Sequence, residues 1–326
     1  MSQELSIYIR IIITFFSSFF ISFLINKKLI KVQVQNKIGQ NINKYLFSSH
    51  QNKKETPSLG GCGIMGGIFC CLLINFPLIS KKMLIIFCFG FLMFLIGFFD
   101  DFIKVFKKDY LGLSALIRFL LELLISLIFA YILYDFLSYQ EEIIITRNYI
   151  LKLGPFIFLF SMLLLTGISN SVNLTDGLDG MASFLFLSSL IPFIIVSLIQ
   201  KEYSISLLLI SSFGATLGFI FLNLYPAKIF MGDCGSLLEG GILGISGLIL
   251  HKEVMLIITS SIFLFETLSV IMQVCSFKLF HKRIFLMTPF HHHLELKGLK
   301  EYQVVMIMMV LSLVFSLFSL LFEVIK

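Results

Sequence analysis

Five of the seven aspartates in this chain lie in three short motifs at the ends of apolar segments: Asp100 and Asp101 in GFFDDFIK, Asp176 and Asp179 in NLTDGLDG, and Asp233 in FMGDCGS. A fourth polar block, PFHHHLELKG, stacks His291, His292 and His293. Ionised carboxylates beside a bilayer are costly unless something compensates them, so this grouping predicts one shared site that holds a cation. Asp100, Asp101 and Lys104 form a D-D-x-x-K group. Its spacing puts Asp100 and Lys104 on one helical face, where the lysine pairs with the carboxylate or binds a phosphate. Two adjacent aspartates repel, which favours proton acceptance by one of them. In NLTDGLDG, Asn173, Asp176 and Asp179 recur every third residue, a pattern that can hydrogen-bond a sugar or nucleotide or hold Mg²⁺. The same motif reads as an N-cap for the segment that follows. Asp233 fits a Mg²⁺ ligand, because Mg²⁺ takes one or two carboxylates plus substrate phosphates. The helix after it offers its N-terminus to phosphate oxygens. Three consecutive histidines cannot all point one way, which weighs against zinc; binding diphosphate oxygens or shuttling a proton suits them better.

The elements that must position these residues are membrane helices. The chain has 326 residues, is 58% hydrophobic and has a mean hydropathy of +0.98, outside the soluble range. Runs such as Ile7–Ile25 and Met83–Phe99 are bilayer-length, at roughly twenty residues each. Ten spans are predicted, near 6–25, 60–79, 83–100, 114–137, 154–172, 180–199, 204–223, 236–251, 255–276 and 303–324. The expected fold is an all-α integral membrane protein of about ten transmembrane helices, one polytopic domain over residues 1–326, with a cytoplasm-facing active-site cleft. Glu4 near the start, with no small-residue cleavage site after the first run, argues against a cleaved signal peptide.

The net charge of +6 sits in loops between spans, which reads as topology determinants rather than nucleic-acid binding. The odd-numbered loops hold sixteen Lys and Arg residues and the even-numbered ones six. The positive-inside rule then puts the odd loops in the cytoplasm and both termini outside. All four motifs fall in odd loops or at their edges, so the site is expected to open to the cytoplasm. The cysteines at 62, 70, 71, 88, 234 and 275 lack metal-ligand spacing, so neither zinc nor a disulfide is predicted. Glu122 and Glu266 lie mid-span, where helix–helix hydrogen bonds are the commoner explanation. Arg118, one turn inside span four, can snorkel to the membrane edge. The basic and apolar segment SFKLFHKRIFLM is expected to lie along the membrane surface. Together these parts suit phosphoryl transfer between a soluble diphosphate and a lipid phosphate.

TPSLGG, GFFDDFIK, NLTDGLDGMA, FMGDCGS and PFHHHLELKG resemble, in order and spacing, motifs of the polyprenyl-phosphate N-acetylhexosamine-1-phosphate transferases. The His block followed by E-L-K-G resembles the phospho-N-acetylmuramoyl-pentapeptide transferases most. The resemblance runs from about Lys53 to Val305. It implies transfer of phospho-MurNAc-pentapeptide from UDP-MurNAc-pentapeptide to undecaprenyl phosphate in the bacterial cytoplasmic (inner) membrane, giving lipid I and UMP for peptidoglycan synthesis. It also implies ten helices and a homodimer. Carried over by motif, Asp233 is the Mg²⁺ ligand, Asp100 the base toward the lipid phosphate, and Asp101 and His292 positions important for activity. Lys53, Asn173, Asp176, Asp179, His291 and His293 would line the nucleotide and diphosphate pocket, and Lys104 and Arg118 join the substrate-binding set. Departures are Glu55 where glycine is usual, TPSLGG for TPTMGG, Arg118 for a lysine, and Leu294 and Leu299 for aromatics. The alternative within the class is transfer of GlcNAc-1-phosphate from UDP-GlcNAc. Ion-coupled transport is a third reading, disfavoured because transport places acids at mid-depth and these gather at segment ends.

Overall fold

All ten expected apolar segments fold as helices, but they are not equals. The computed structural model describes residues 2–36, 56–106, 112–136, 142–146 and 149–325. In chain order the helices are α1 (Ser2–Gln35), α2 (Gly61–Ile74), α3 (Lys81–Phe106), α4 (Ala115–Phe136), α5 (Phe156–Thr175), α6 (Met181–Ile199) and α7 (Tyr203–Asn223). After them come α8 (Asp233–Ile249), α9 (Glu253–Thr259), α10 (Ser261–Phe280), α11 (Phe290–Leu296) and α12 (Glu301–Ile325). Eight are long and apolar enough to cross a membrane. The two expected spans that fall short are α2, with 14 residues, and α8, with 17. At 1.5 Å per residue, α2 reaches only about 21 Å, short of a hydrocarbon core of about 30 Å.

Four further features depart from the hydropathy reading. Helix α1 continues ten residues past its expected end, because Leu29, Ile30, Val32 and Val34 carry an apolar pattern through the lysines. Its buried Gln33 brackets Ser58, donating from Nε2 to Ser58 O at 2.8 Å and accepting from Ser58 N at 3.0 Å. The ninth expected span is broken at Ser260, between α9 and α10. There Ser261 Oγ caps the carbonyls of Ile257 and Ile258, and Ser189 Oγ donates to Thr259 O at 2.8 Å, so hydroxyls replace the backbone ladder. A hairpin of β1 (Glu142–Thr146) and β2 (Tyr149–Lys152), pairing Ile143 with Leu151, interrupts the otherwise helical chain. Its run of isoleucines favours extended backbone. Finally, the His block is itself helical, as α11.

Helix α8 is the hub. Helices α2, α3, α5, α6 and α9 all pack on it, and every residue after Asp233 is buried. Polar side chains pin helices where lipid gives no hydrophobic drive for association: Ser18 Oγ lies 2.7 Å from Ser211 Oγ, and Asn75 Nδ2 donates to Thr14 Oγ1 at 2.9 Å. Outer faces carry exposed apolar side chains such as Leu116, Leu268 and Val314, as a bilayer solvent requires.

Candidate active site

The C-terminal ends of α3 and α5 meet the N-terminal ends of α4 and α8, through contacts among Asp100, Arg118, Asn173 and Asp233. The acidic motifs occupy those ends. Asp100 and Asp101, neighbours on α3, point about 100° apart and part company. Asp100 is buried; its Oδ1 accepts from Leu113 N at 2.6 Å, and its Oδ2 lies 2.6 Å from Lys104 Nζ. That is the predicted four-residue pair. Asp101, also buried, accepts from Cys234 N at 2.9 Å and so caps the start of α8 from another helix.

Asp233 begins α8 and is the centre of the cluster. Its Oδ2 accepts from Lys104 Nζ and from Arg118 Nη1, each at 2.8 Å. Its Oδ1 accepts from Asn173 Nδ2 at 2.9 Å, and Asn173 also donates to Ser236 Oγ at 2.9 Å. Two close approaches place this carboxylate. A Cβ on Gly97 of α3 would sit 2.2 Å from Asp233 O, and one on Gly232, whose φ is +76°, would sit 2.4 Å from Asp101 Oδ2. Only glycine allows α3 and the start of α8 to come this near.

Arg118 does not snorkel outward. It turns into the cluster, 3.6 Å from Asp100 Oδ2 and 3.6 Å from Glu122 Oε1, because three carboxylates outbid the membrane edge. Glu122 in turn accepts from Asn170 Nδ2, the helix–helix hydrogen bond expected of it.

The second acidic motif divides. Asp176 follows the end of α5. Desolvation first, then the carboxylates of Asp233, Asp101 and Asp179, push its carboxyl up to about 8. Asp179 is buried, and its Oδ2 accepts from Ala227 N at 2.9 Å while its backbone N donates to Glu301 Oε1 at 2.8 Å. The expected N-cap of α6 is not made. Gly180 holds that position without a side-chain cap, because the Asp179 carboxylate is drawn to the 224–228 loop.

The histidines diverge as expected. His291 is buried with Nδ1 3.3 Å from Glu266 Oε2, which also accepts its backbone N at 3.2 Å. A Cβ on Gly177 would lie 2.4 Å from His291 Nε2, so this ring abuts the NLTDGLDG turn. His292 Nδ1 lies 2.8 Å from Glu295 Oε2, while His293 Nδ1 accepts from Leu286 N at 3.1 Å and its ring stacks on Phe290. Lys53 and Glu55 lie outside the described residues. Glu122, Asn170, Ser236 and Glu301 belong to the wiring but were not singled out as site residues. The one available signal was the i,i+4 spacing of Arg118 and Glu122.

Three carboxylates, Asp100, Glu122 and Asp233, share two cations, Lys104 and Arg118. Asp176 stands beside this cluster as a carboxyl that burial, then the neighbouring carboxylates, keep protonated near neutral pH. Among the described residues no three acids, histidines or cysteines form a metal cage. An acid-rich centre without a full protein cage fits Mg²⁺ bound jointly with substrate phosphates. It does not fit structural zinc.

Residues 83–251 match the family model described as glycosyl transferase family 4. The chain is 38% identical over 312 residues to the phospho-N-acetylmuramoyl-pentapeptide-transferase of Kosmotoga olearia, covering 95% of this chain and 97% of that one. It is 37% identical over 292 residues to the Bacillus subtilis protein of the same name, covering 88% and 90%. For the Clostridium beijerinckii protein, also so named, identity is 40% over 278 residues, covering 83% of each chain.

Proposed function

Because the chain belongs to the phospho-N-acetylmuramoyl-pentapeptide-transferase family, we propose that it moves phospho-MurNAc-pentapeptide from its UDP carrier onto undecaprenyl phosphate. The products are lipid I and UMP. In the reaction an oxygen of the lipid phosphate bonds to the sugar-linked phosphorus, and the bond from that phosphorus to the UMP oxygen breaks. The carrying observation is Asp233 at the start of α8, its Oδ2 held by Lys104 and Arg118 at 2.8 Å each.

In this reading Asp233 is the Mg²⁺ ligand. When bound there, the ion would supply positive charge to the donor diphosphate and the leaving phosphate. Lys104 and the Nη edge of Arg118, both beside Asp233 Oδ2, are the cations within reach of diphosphate oxygens. Asp100 takes the last proton of the lipid phosphate, whose second pKa is about 6. Asp101 and Asn173 keep α8 and the Asp233 carboxylate in place. His291, His293, Asp176 and Lys53 line the nucleotide and diphosphate pocket, His292 supports activity beside them, and Asp179 holds the adjoining loop. The whole chain acts as one polytopic domain in the bacterial inner membrane. The sixteen-to-six split of basic residues supports a site open to the cytoplasm and termini outside. The family resemblance supports a homodimer, which native mass spectrometry from membranes would decide.

The test is incubation of purified protein with undecaprenyl phosphate, Mg²⁺ and each UDP-sugar, reading UMP. Release is expected with UDP-MurNAc-pentapeptide and requires Mg²⁺. Preference for UDP-GlcNAc, or release indifferent to chelation, would overturn the corresponding part.

A further inference from the structure

Arg118 lies among polar groups that meet a guanidinium on more than one edge. Its Nη1 reaches Asp233 Oδ2 at 2.8 Å, its Nη2 points to Asn173 Oδ1 at 3.4 Å, and its Nε lies 3.6 Å from Glu122 Oε1. The Nη edge is hydrogen-bonded and the Nε edge faces the Glu122 carboxylate as an ion pair, so two edges of the planar fork meet partners; an ammonium has no second edge to present. Glu122 is fully buried inside α4, one turn after Arg118 on the same face. A buried carboxylate without compensation is strongly unfavourable. Here Arg118 supplies the charge, and Asn170 Nδ2, itself anchored to Thr166 O at 3.0 Å, donates to the other oxygen.

We propose that Glu122 is a positioning residue for this reaction: with Asn170 it holds the Nε edge of Arg118 so that the Nη edge faces the diphosphate site between Asp100 and Asp233. The proposal rests on the transferase reading for the identity of the diphosphate, but the geometry of the fork stands apart from it. A carboxylate at 122 and an arginine at 118 form one functional unit, and each loses its purpose without the other. Glutamine at 122 keeps an acceptor for Asn170, yet presents no charge, and can turn an amide donor toward Nε. Arg118 then swings out of line.

The experiment is a double-mutant cycle with Glu122→Gln and Arg118→Lys, singly and together. Two readouts are taken: UMP release, and binding of uridine diphosphate in the presence of a chelator. In the arginine background, Glu122→Gln should lower kcat/KM about tenfold and weaken uridine diphosphate binding by a similar factor, as loss of a charge-assisted contact predicts. In the Arg118→Lys background the same change should alter both by less than about twofold. Equal losses in the two backgrounds would overturn the proposal and make Glu122 a purely structural group. Should Glu122→Gln fail to fold, Asn170→Ser, which removes the amide donor and leaves the charge, is put through the same cycle with the same criteria. A parent protein that binds uridine diphosphate with the predicted coupling but releases no UMP from the MurNAc-pentapeptide donor would refute the transferase reading alone.

Discussion

Asp101→Asn separates two roles that a DD motif cannot distinguish: contact with the reacting phosphates, and capping of the helix that carries Asp233. The carboxylate accepts from Cys234 N at 2.9 Å at the N-terminus of α8. A hydrogen bond to an ionised group contributes about 1.5–3 kcal/mol against about 1 for a neutral one. The helix dipole adds up to about 2 kcal/mol in a partly buried geometry. Against this, asparagine avoids the cost of keeping a charge out of water. The net loss should be about 1–2 kcal/mol, which lowers the melting temperature by about 1.5–3 °C in a chain of this size. Asp101→Ala should cost about 1–3 kcal/mol more, since it leaves the Cys234 N–H unpaired. Turnover of Asp101→Asn should fall within about thirtyfold of the parent, equivalent to about 2 kcal/mol. The Mg²⁺ concentration for half-maximal rate should rise, because Asp233 sits at the loosened helix start. Melting curves and Mg²⁺ titrations on the same preparations decide the matter. An unchanged melting temperature with a loss beyond about a thousandfold in kcat would show that Asp101 works on the reacting groups and that the capping account is wrong.

Gly97→Ala puts a methyl 2.2 Å from Asp233 O, so α3 and α8 must part and turnover should drop about a hundredfold or more; Gly167→Ala, with nothing within 4 Å, should leave rate and melting unchanged. Asp176, held near 8 against about 3.9 unfolded, contributes stability that is full below about pH 4 and lost as pH rises through about 8. In chelator, melting of the parent should therefore fall more steeply from pH 5 to 8 than that of Asp176→Asn, and parallel curves would refute the assignment. For orientation, in a background with Cys88 and Cys275 replaced, a cysteine at Lys152 should react with an impermeant thiol reagent in intact cells and one at Lys282 should not; the reverse pattern would invert the topology.

The fold was legible wherever composition acts through length. A run such as Met83–Phe99 has few options but a membrane helix, and each expected segment is helical, eight of the helices being long enough to span. What hydropathy could not weigh was the competition between lipid and protein as surroundings. Helix α8 is apolar because it is buried on every side by other helices, and α2 is too short to span, yet both read like lipid-facing segments. The break at Ser260 depends on hydroxyls from Ser189 and Ser261 reaching particular carbonyls, a matter of neighbours rather than of local sequence.

The site was legible for a different reason. In so apolar a chain, each carboxylate at a segment end is conspicuous, and Asp100, Lys104, Asn173 and Asp233 do converge. Their roles were not legible, because role depends on the azimuth at which α3 meets α8. The backbone contact at Gly97 sets that angle: it sends Asp101 under the start of α8 and leaves Asp100 facing Lys104 and Arg118. The same rotation by one residue would exchange the two acids, although the motif would read identically. Arg118 shows the point from the other side. Its position one turn inside α4 fits snorkelling by sequence, but Glu122 on the same face, with Asp233 and Asn173 across the gap, offers three contacts inside against one aqueous edge outside. A polar residue in a membrane helix takes its direction from the partners the packing brings to it: for Arg118 these are Asp100, Asn173 and Asp233 from three separate motifs, and Glu122 from a stretch that carries none.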